Sequence, residues 1–291
     1  NEIADSRPYC EIIRQWSTFH PEFAYLPRKF KIAVCGTSDD QAATQVHDIG
    51  LFIVRNDAGE LGFRVLVGGG LGRTPVIGKA IREFLPEHEL LTYLDAILRV
   101  YNREGRRDNK YKARIKILVK ETGVDAFREK VEKEWQSLKG GPLRLTDTEI
   151  QRCKGFFDEP DYKELPAQSA KLSEELSRDV LFASWYQQNV DAHKKPGYAI
   201  VTICLKTTGV APGDVTTEQM NFIADVADRY SFGELRISHE QNVILADIEQ
   251  DALYEIWQAL KSNQLSAANL GLLTDIICCP GGDFCALANA K

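Results

Sequence analysis

The chain has 291 residues, about 44% of them hydrophobic, and a formal net charge of -6. That length can bury sizeable cores and divide into two or three units, while the acidic balance excludes nucleic acid as an expected partner. No apolar run is long enough to span a membrane, and the opening "NEIADSRPYCEIIRQW" has no basic region leading into an apolar stretch, so no membrane partner and a cytoplasmic location are expected.

From residue 29 to residue 67 the pattern is strand-like. "FKIAVCG", "GLFIVR" and "GFRVLVG" are rich in Val, Ile and Phe, and "NDAGELG" supplies a turn between the last two. At the start of this run Lys29 and Lys31 share a strand face by the two-residue period, which makes either an anion site or a charged edge that deters aggregation. Gly68, Gly69, Gly70 and Gly72 follow, ahead of a helix-like "TPVIGKAIREFL". The run departs from the dinucleotide fingerprint, which needs glycine where Arg73 stands, and no Gly-Lys-Ser/Thr follows. Either a tight turn or close approach of backbone amides to a cofactor explains it.

Leu90, Leu94, Ile97 and Tyr101 recur at helical spacing up to Gly105, and Val124, Phe127, Val131, Trp135 and Leu138 do so up to Gly140. Between them the basic "GRRDNKYKARIK" is either a solvated helix cap or a binder of carboxylates. A mixed α/β unit ending near residue 138 is predicted, followed by a polar connecting segment over 139–190. A second unit then reads β-α-β-β-α: a strand at 197–206, a helix opened by the capping pair Thr216 and Gln219, strands at 234–238 and 243–248, and a helix carrying Leu253, Ile256, Trp257 and Leu260. That is the ferredoxin-like motif without its last strand.

Seven cysteines, four of them isolated (Cys10, Cys35, Cys153 and Cys204), make a poor disulfide framework, so reduced thiols are expected. Cys279 and Cys285 enclose "PGGDF", a turn that can fold two thiolates towards one point, as iron–sulfur clusters require. Zinc is the rival metal, and a buried, inert thiol is the bland alternative for each cysteine, strongest for Cys278. The five histidines have no metal-pair spacing. With Asn1 first and one methionine, Met220, the chain is expected to be an internal piece of a longer protein.

Together "YLPRKFKIAV", "VHDIGLFIV", "GFRVLVGGGLGRTP", "RISHEQNVILADI" and "DIICCPGGDFC" resemble the sulfite and nitrite reductase family, and in particular the haemoprotein subunits of assimilatory sulfite reductases. The resemblance implies an α+β fold: a mixed α/β sirohaem/4Fe-4S-type domain over 1–138, the connection over 139–190, a ferredoxin-like half-domain over 191–265, and over 266–291 the start of a second 4Fe-4S-type domain. It implies an enzyme, inactive as this piece alone, that takes sulfite to sulfide in six electrons with sirohaem and a 4Fe-4S cluster. Nitrite reduction is the alternative, and from a different class a non-catalytic zinc-binding module. By the same resemblance Lys29 and Lys31 bind the anion, and Arg28, Gly68, Gly69, Gly70, Gly72 and Arg114 lie against the sirohaem. Gln241 and Asn242 face a cofactor or an interface, and Cys279 and Cys285 are two cluster ligands. The remaining ligands and the substrate arginines are expected outside the chain, and a flavoprotein or ferredoxin is the expected electron donor.

Overall fold

The structure, a computed structural model, describes residues 2–279, 281–283, 285, 286 and 288. Two compact units divide at residue 158/159, and among the described residues each holds one four-stranded sheet. The fold is α+β. No helix among the described residues is long and apolar enough to cross a membrane.

In the first unit, α1 (Arg7–Ser17) precedes β1 (Ile32–Cys35), β2 (Ile49–Arg55), β3 (Leu61–Val67) and β4 (Lys79–Pro86). The sheet order is β1-β2-β3-β4, with β1 parallel to β2 and the other pairs antiparallel. Alternate residues of β2 and β3 pair directly across the ladder (Ile49 with Val67, Leu51 with Val65, Ile53 with Phe63) and all six are buried. The two-residue strand period therefore builds one continuous apolar face. Against it pack α2 (Leu90–Glu104) and α4 (Val124–Gln136), joined through α3 (Ile115–Thr122), and the same core takes Ile150 and Cys153 of α5 (Asp147–Lys154).

The stretch expected as a helix after the glycines is β4. Its pairing with β3 shifts register twice, between Phe63 and Val65 and between Val65 and Leu66, and Ile81 and Leu85 are buried while Glu83, which a regular strand would turn to their face, is exposed. A bulged strand thus imitates helical spacing in the sequence. Helix α1 escaped the sequence reading, although Pro8 in its first turn and Tyr9, Ile12, Ile13 and Trp16 at helical spacing announce it.

The second unit begins with α6 (Ala170–Arg178) and α7 (Val180–Asn189), then β5 (Val190–Ala192), β6 (Tyr198–Ile203), α8 (Thr217–Tyr230), β7 (Arg236–Ile237), β8 (Val243–Glu249) and α9 (Leu253–Ser262). Sheet order is β5-β6-β8-β7, all antiparallel. The expected β-α-β-β-α series is present, and the capping box of Thr216 and Gln219 forms in both directions at the start of α8. Strand β5 is an addition that covers the outer edge of β6. The segment 139–190 divides between the units: Leu145, Ile150 and Cys153 enter the first core, and Leu172, Phe182 and Trp185 enter the second.

Candidate functional site

In the first unit, three of the sequence motifs meet at one carboxylate that none of them contains. Asp48, which lies immediately before β2, is 0% exposed. Its Oδ2 accepts the Lys31 backbone N–H at 2.9 Å. Arg114 donates Nε to Oδ1 at 3.0 Å and Nη2 to Oδ2 at 2.5 Å, a bidentate fork that fixes the guanidinium in one plane. The Asp48 carbonyl accepts the Gly68 N–H at 3.0 Å. The "RKFK" run, the glycine run and the basic segment are thereby pinned together.

Lys29 and Lys31 sit just before β1 rather than inside it. Both are exposed, and Phe30 between them turns inward onto Tyr101 at 5.6 Å between ring centroids. Exposure thus alternates along these three residues, although they precede the strand. Tyr101 donates its hydroxyl to the Ala113 carbonyl at 2.7 Å, and burial followed by the Asp48 carboxylate pushes that hydroxyl up to about 12. Arg28 donates Nη1 to the Lys110 carbonyl at 2.9 Å, so the basic segment is tied to "RKFK" a second time. A cavity of about 610 Å³ is lined by Trp16, Leu26, Arg28, Lys29, Phe30 and Ile32 among others. Lys31 does not line it.

The glycines divide by role. Gly68, Gly69 and Gly70 are buried and Gly72 is exposed. A Cβ at Gly69 would come within 2.4 Å of the Gln45 carbonyl oxygen and 2.5 Å of the His47 carbonyl oxygen, so packing alone demands glycine there. Beyond it, Gly70 pairs with Val76 across an isolated bridge, and Lys116 donates Nζ to the Leu71 and Thr74 carbonyls at 3.0 and 2.7 Å. The loop between β3 and β4 is thus laced shut by a lysine of the basic segment.

In the second unit, the chain after β6 and the chain before β8 come together with the segment leading to the cysteines. Gln241, at φ +60°, donates Nε2 to the Cys278 carbonyl at 2.8 Å and accepts the Cys278 N–H on Oε1 at 3.0 Å. Asn242 is 1% exposed and turned inward. Its Oδ1 accepts from the Leu205 N–H and from Lys206 Nζ, and its Nδ2 donates to Asp275 Oδ1. Both amides therefore have protein partners.

Cys278 and Cys279 are exposed and Cys285 is half-buried. The expectation of a buried Cys278 is thus corrected: its main chain is held while its thiol faces out. Pro280 and Phe284 of the "PGGDF" turn lie outside the described residues. Among the described residues no three Cys, His, Asp or Glu side chains gather at metal-binding distance. Sequence reasoning missed Asp48, Lys206 and Asp275. A lone acid before an apolar strand and a lysine straight after one, as in "TICLK", were the signals for the first two.

The first 139 residues match the profile of the nitrite and sulphite reductase 4Fe-4S domain, and residues 193–263 match that of the nitrite/sulfite reductase ferredoxin-like half domain. The chloroplastic ferredoxin–nitrite reductase of Arabidopsis thaliana is 27% identical over 99% of this chain and 44% of its own length. The ferredoxin–nitrite reductase of Synechococcus elongatus is 29% identical over 99% and 50%. Sulfite reductase [ferredoxin] 2 of Mycolicibacterium paratuberculosis is 27% identical over 100% and 45%, so the chain spans about half the length of the curated relatives it matches. The solved structure of the Mycobacterium tuberculosis NirA protein shares the fold, with a TM-score of 0.63 and 24% identity over 92% of this chain and 42% of that one. Two successive domain profiles of one family, matched in order on this fold, make the chain a member of the nitrite/sulfite reductase family.

Proposed function

We propose that the chain is part of a reductase that takes sulfite to sulfide in six electrons, with the anion held by Lys29 and Lys31. The observation that carries this reading is the pair of exposed lysines on either side of an inward-turned Phe30, on a segment whose Lys31 backbone N–H is held by Asp48. Sulfite brings up to two negative charges, and each of its three oxygens must leave as water. Lysines held in place by a rigid backbone offset that charge and can deliver protons to a departing oxygen.

Sirohaem and a 4Fe-4S cluster, when bound, would supply the electrons one at a time. The donor chemistry fits both groups. Exposed thiols of Cys279 and half-buried Cys285 are the soft donors iron prefers, and they would hold two of the four iron positions. Arg28, Gly70, Gly72 and Arg114 would lie along the macrocycle, with Gly68 and Gly69 shaping the turn behind them. Exposed Lys110 and Lys112 add positive charge to the same segment. Gln241 and Asn242 would act on the cluster side through the chain that bears the cysteines. A ferredoxin or a flavoprotein would be the electron donor, in keeping with the ferredoxin-dependent relatives.

Nitrite, reduced to ammonia with the same number of electrons, is the second reading, supported by the ferredoxin–nitrite reductases among the relatives. Steady-state rates of the full-length protein with each anion separate the two. A colourless protein carrying one zinc ion per chain after anaerobic supply of iron and sulfide would replace both with a metal-binding module.

A further inference from the structure

At the end of the second sheet where β6 finishes and β8 begins, a charged pair is buried with nothing in the proposed chemistry to use it. Lys206 and Asp275 meet at 2.7 Å, their side chains 3% and 6% exposed. Lys206 Nζ also donates to Asn242 Oδ1 at 2.7 Å and to the Glu240 carbonyl. The Asp275 carboxylate is saturated: Oδ1 accepts from Lys206, from Asn242 Nδ2 at 3.1 Å and from the Cys204 thiol at 3.3 Å, while Oδ2 accepts the Gly271 N–H at 2.9 Å. Burying two charges carries a desolvation cost that their attraction need not repay, so such a pair is weak evidence of stabilisation and better evidence of a required geometry.

What the pair fixes is the path of the chain into the cysteines. Residues 266–272 have neither helix nor strand, and a single turn of 3₁₀ helix follows at Leu273–Asp275. Leu272, Leu273, Ile276 and Ile277 are all exposed, so this stretch has little apolar burial of its own to hold it. Two polar anchors substitute for that burial. Asp275 is the first, tied to β6 through Lys206 and to the start of β8 through Asn242. Gln241 is the second, clasping both backbone groups of Cys278 in the manner of a strand partner. Gly213, at φ +87° and bonded through its N–H to the Leu205 carbonyl, lies where a Cβ would come within 3.1 Å of Gln241 Cβ, so the clasp is backed by main chain. One anchor lies three residues before Cys278 and the other on it, which leaves Cys279 as the first residue beyond a fixed point.

We infer that Lys206, Asp275 and Gln241 are positioning residues that preset the chain bearing Cys279 before any iron arrives. They hold its backbone in the ligating arrangement, so that the cluster is built on an ordered thiol. This inference rests on Cys279 being a cluster ligand, and the test keeps the two ideas apart.

The experiment is hydrogen exchange by mass spectrometry on the full-length protein, stripped of iron by a chelator, with wild type compared to Lys206→Met, Asp275→Asn and Gln241→Asn. Gln241→Asn serves as the control for misfolding. It lies outside the buried pair, asparagine tolerates a positive φ, and the shorter side chain cannot span to both groups of Cys278. In iron-free wild type the amides of residues 271–279 are expected to be protected. Each variant should speed their exchange roughly tenfold or more while peptides of β6 and β8 keep their protection. On return of ferrous iron and sulfide, the variants should regain visible cluster absorbance several-fold more slowly than wild type.

Rapid exchange of 271–279 in iron-free wild type would overturn the inference, since the chain would then be unordered until loaded. Acceleration spread equally over β6 and β8 in all three variants would overturn it as well, because the residues would then serve the core alone. A wild-type protein that takes up no iron while the exchange differences persist counts against Cys279 as a ligand and supports the presetting.

Discussion

Single residues carry the anion-binding reading, and each has a distinct expected signature. Lys29→Met and Lys31→Met keep the apolar stem of the side chain but remove its charge and donors. In the full-length protein each should lower sulfite turnover by roughly a hundredfold, as loss of one preorganised donor does, with melting temperature and cofactor content unchanged. Near-normal turnover in both would leave "RKFK" a charged surface segment. Phe30, packed on Tyr101, should act in the opposite way: Phe30→Ala is expected to lose about 2 kcal/mol of stability, below the range for fully buried rings because it is half-buried, with turnover per loaded site retained. Asp48→Asn leaves Arg114 facing a neutral amide and loosens three motifs at once. A loss of about 3 kcal/mol in denaturant unfolding is expected, near the low end for a broken buried pair because the Arg114 side chain stays 24% exposed. A loss under about 1 kcal/mol would show that the glycine run and "RKFK" are held by packing. The exposure of Lys29 and Lys31 about an inward Phe30 was legible because alternation along extended chain is a local rule. Asp48 was not, since its partner Arg114 lies 66 positions away and no local pattern announces a pair so distant.

Elements were legible where a local signal ran unbroken: α4 and α9 bury residues at helical spacing, α8 opens on a capping box, and α2 carries its apolar residues at that spacing although it is buried on nearly every side. They were illegible where pairing overrode local pattern: the bulges of β4 turned a strand into apparent helix, and β5 follows α7 with no turn residue between them. The turn at Leu273–Asp275 is an element held by charge, and it should respond to pH. Burial alone would raise the Asp275 carboxyl, but bonds from the Gly271 N–H, Lys206, Asn242 and Cys204 outweigh it and hold it down to about 2, against 3.8 for a free group. Because the folded value lies below the unfolded one, unfolded chains bind the proton first. The contribution, about 2 kcal/mol at about 1.4 kcal/mol per unit, is therefore present in full above about pH 4 and lost as pH falls towards 2. Hydrogen exchange of residues 271–279 in wild type and Asp275→Asn of the full-length protein between pH 2 and pH 7, corrected for the intrinsic rate at each pH and converted to local opening free energies, tests this. The gap between them should be constant above about pH 4 and close on acidification, and a gap that widens on acidification would reverse the assignment.

At the scale of the whole molecule, the candidate cations belong to one unit and the candidate thiols to the other, each on its own core. A 4Fe-4S cluster takes four thiolate positions, and among the described residues no three donors gather at one point. Cluster content is therefore a property to be measured on the full-length protein, where adjacent cysteines of this chain give a sharp contrast. Cys278 is held by its backbone, both of whose polar groups are bound by Gln241, and its thiol Sγ donates to the neighbouring Cys279 carbonyl at 3.3 Å. Serine at 278 keeps every one of those main-chain bonds. Cys279 follows directly, exposed, with its side chain as the feature that the cluster reading uses. Cys279→Ser should then abolish the visible absorbance of the cluster and its magnetic coupling to the haem, with iron content falling to match, because a serine oxygen is a poor substitute for a thiolate in an iron–sulfur site. Cys278→Ser should leave absorbance, iron content and melting temperature close to wild type. Anaerobic reconstitution of both variants beside wild type, read by iron and sulfide assay and by visible and electron paramagnetic resonance spectra, decides the matter. Equal loss in the two variants would mean that the loop works through Cys278 as well, and the assignment of ligand between neighbours would have to be withdrawn.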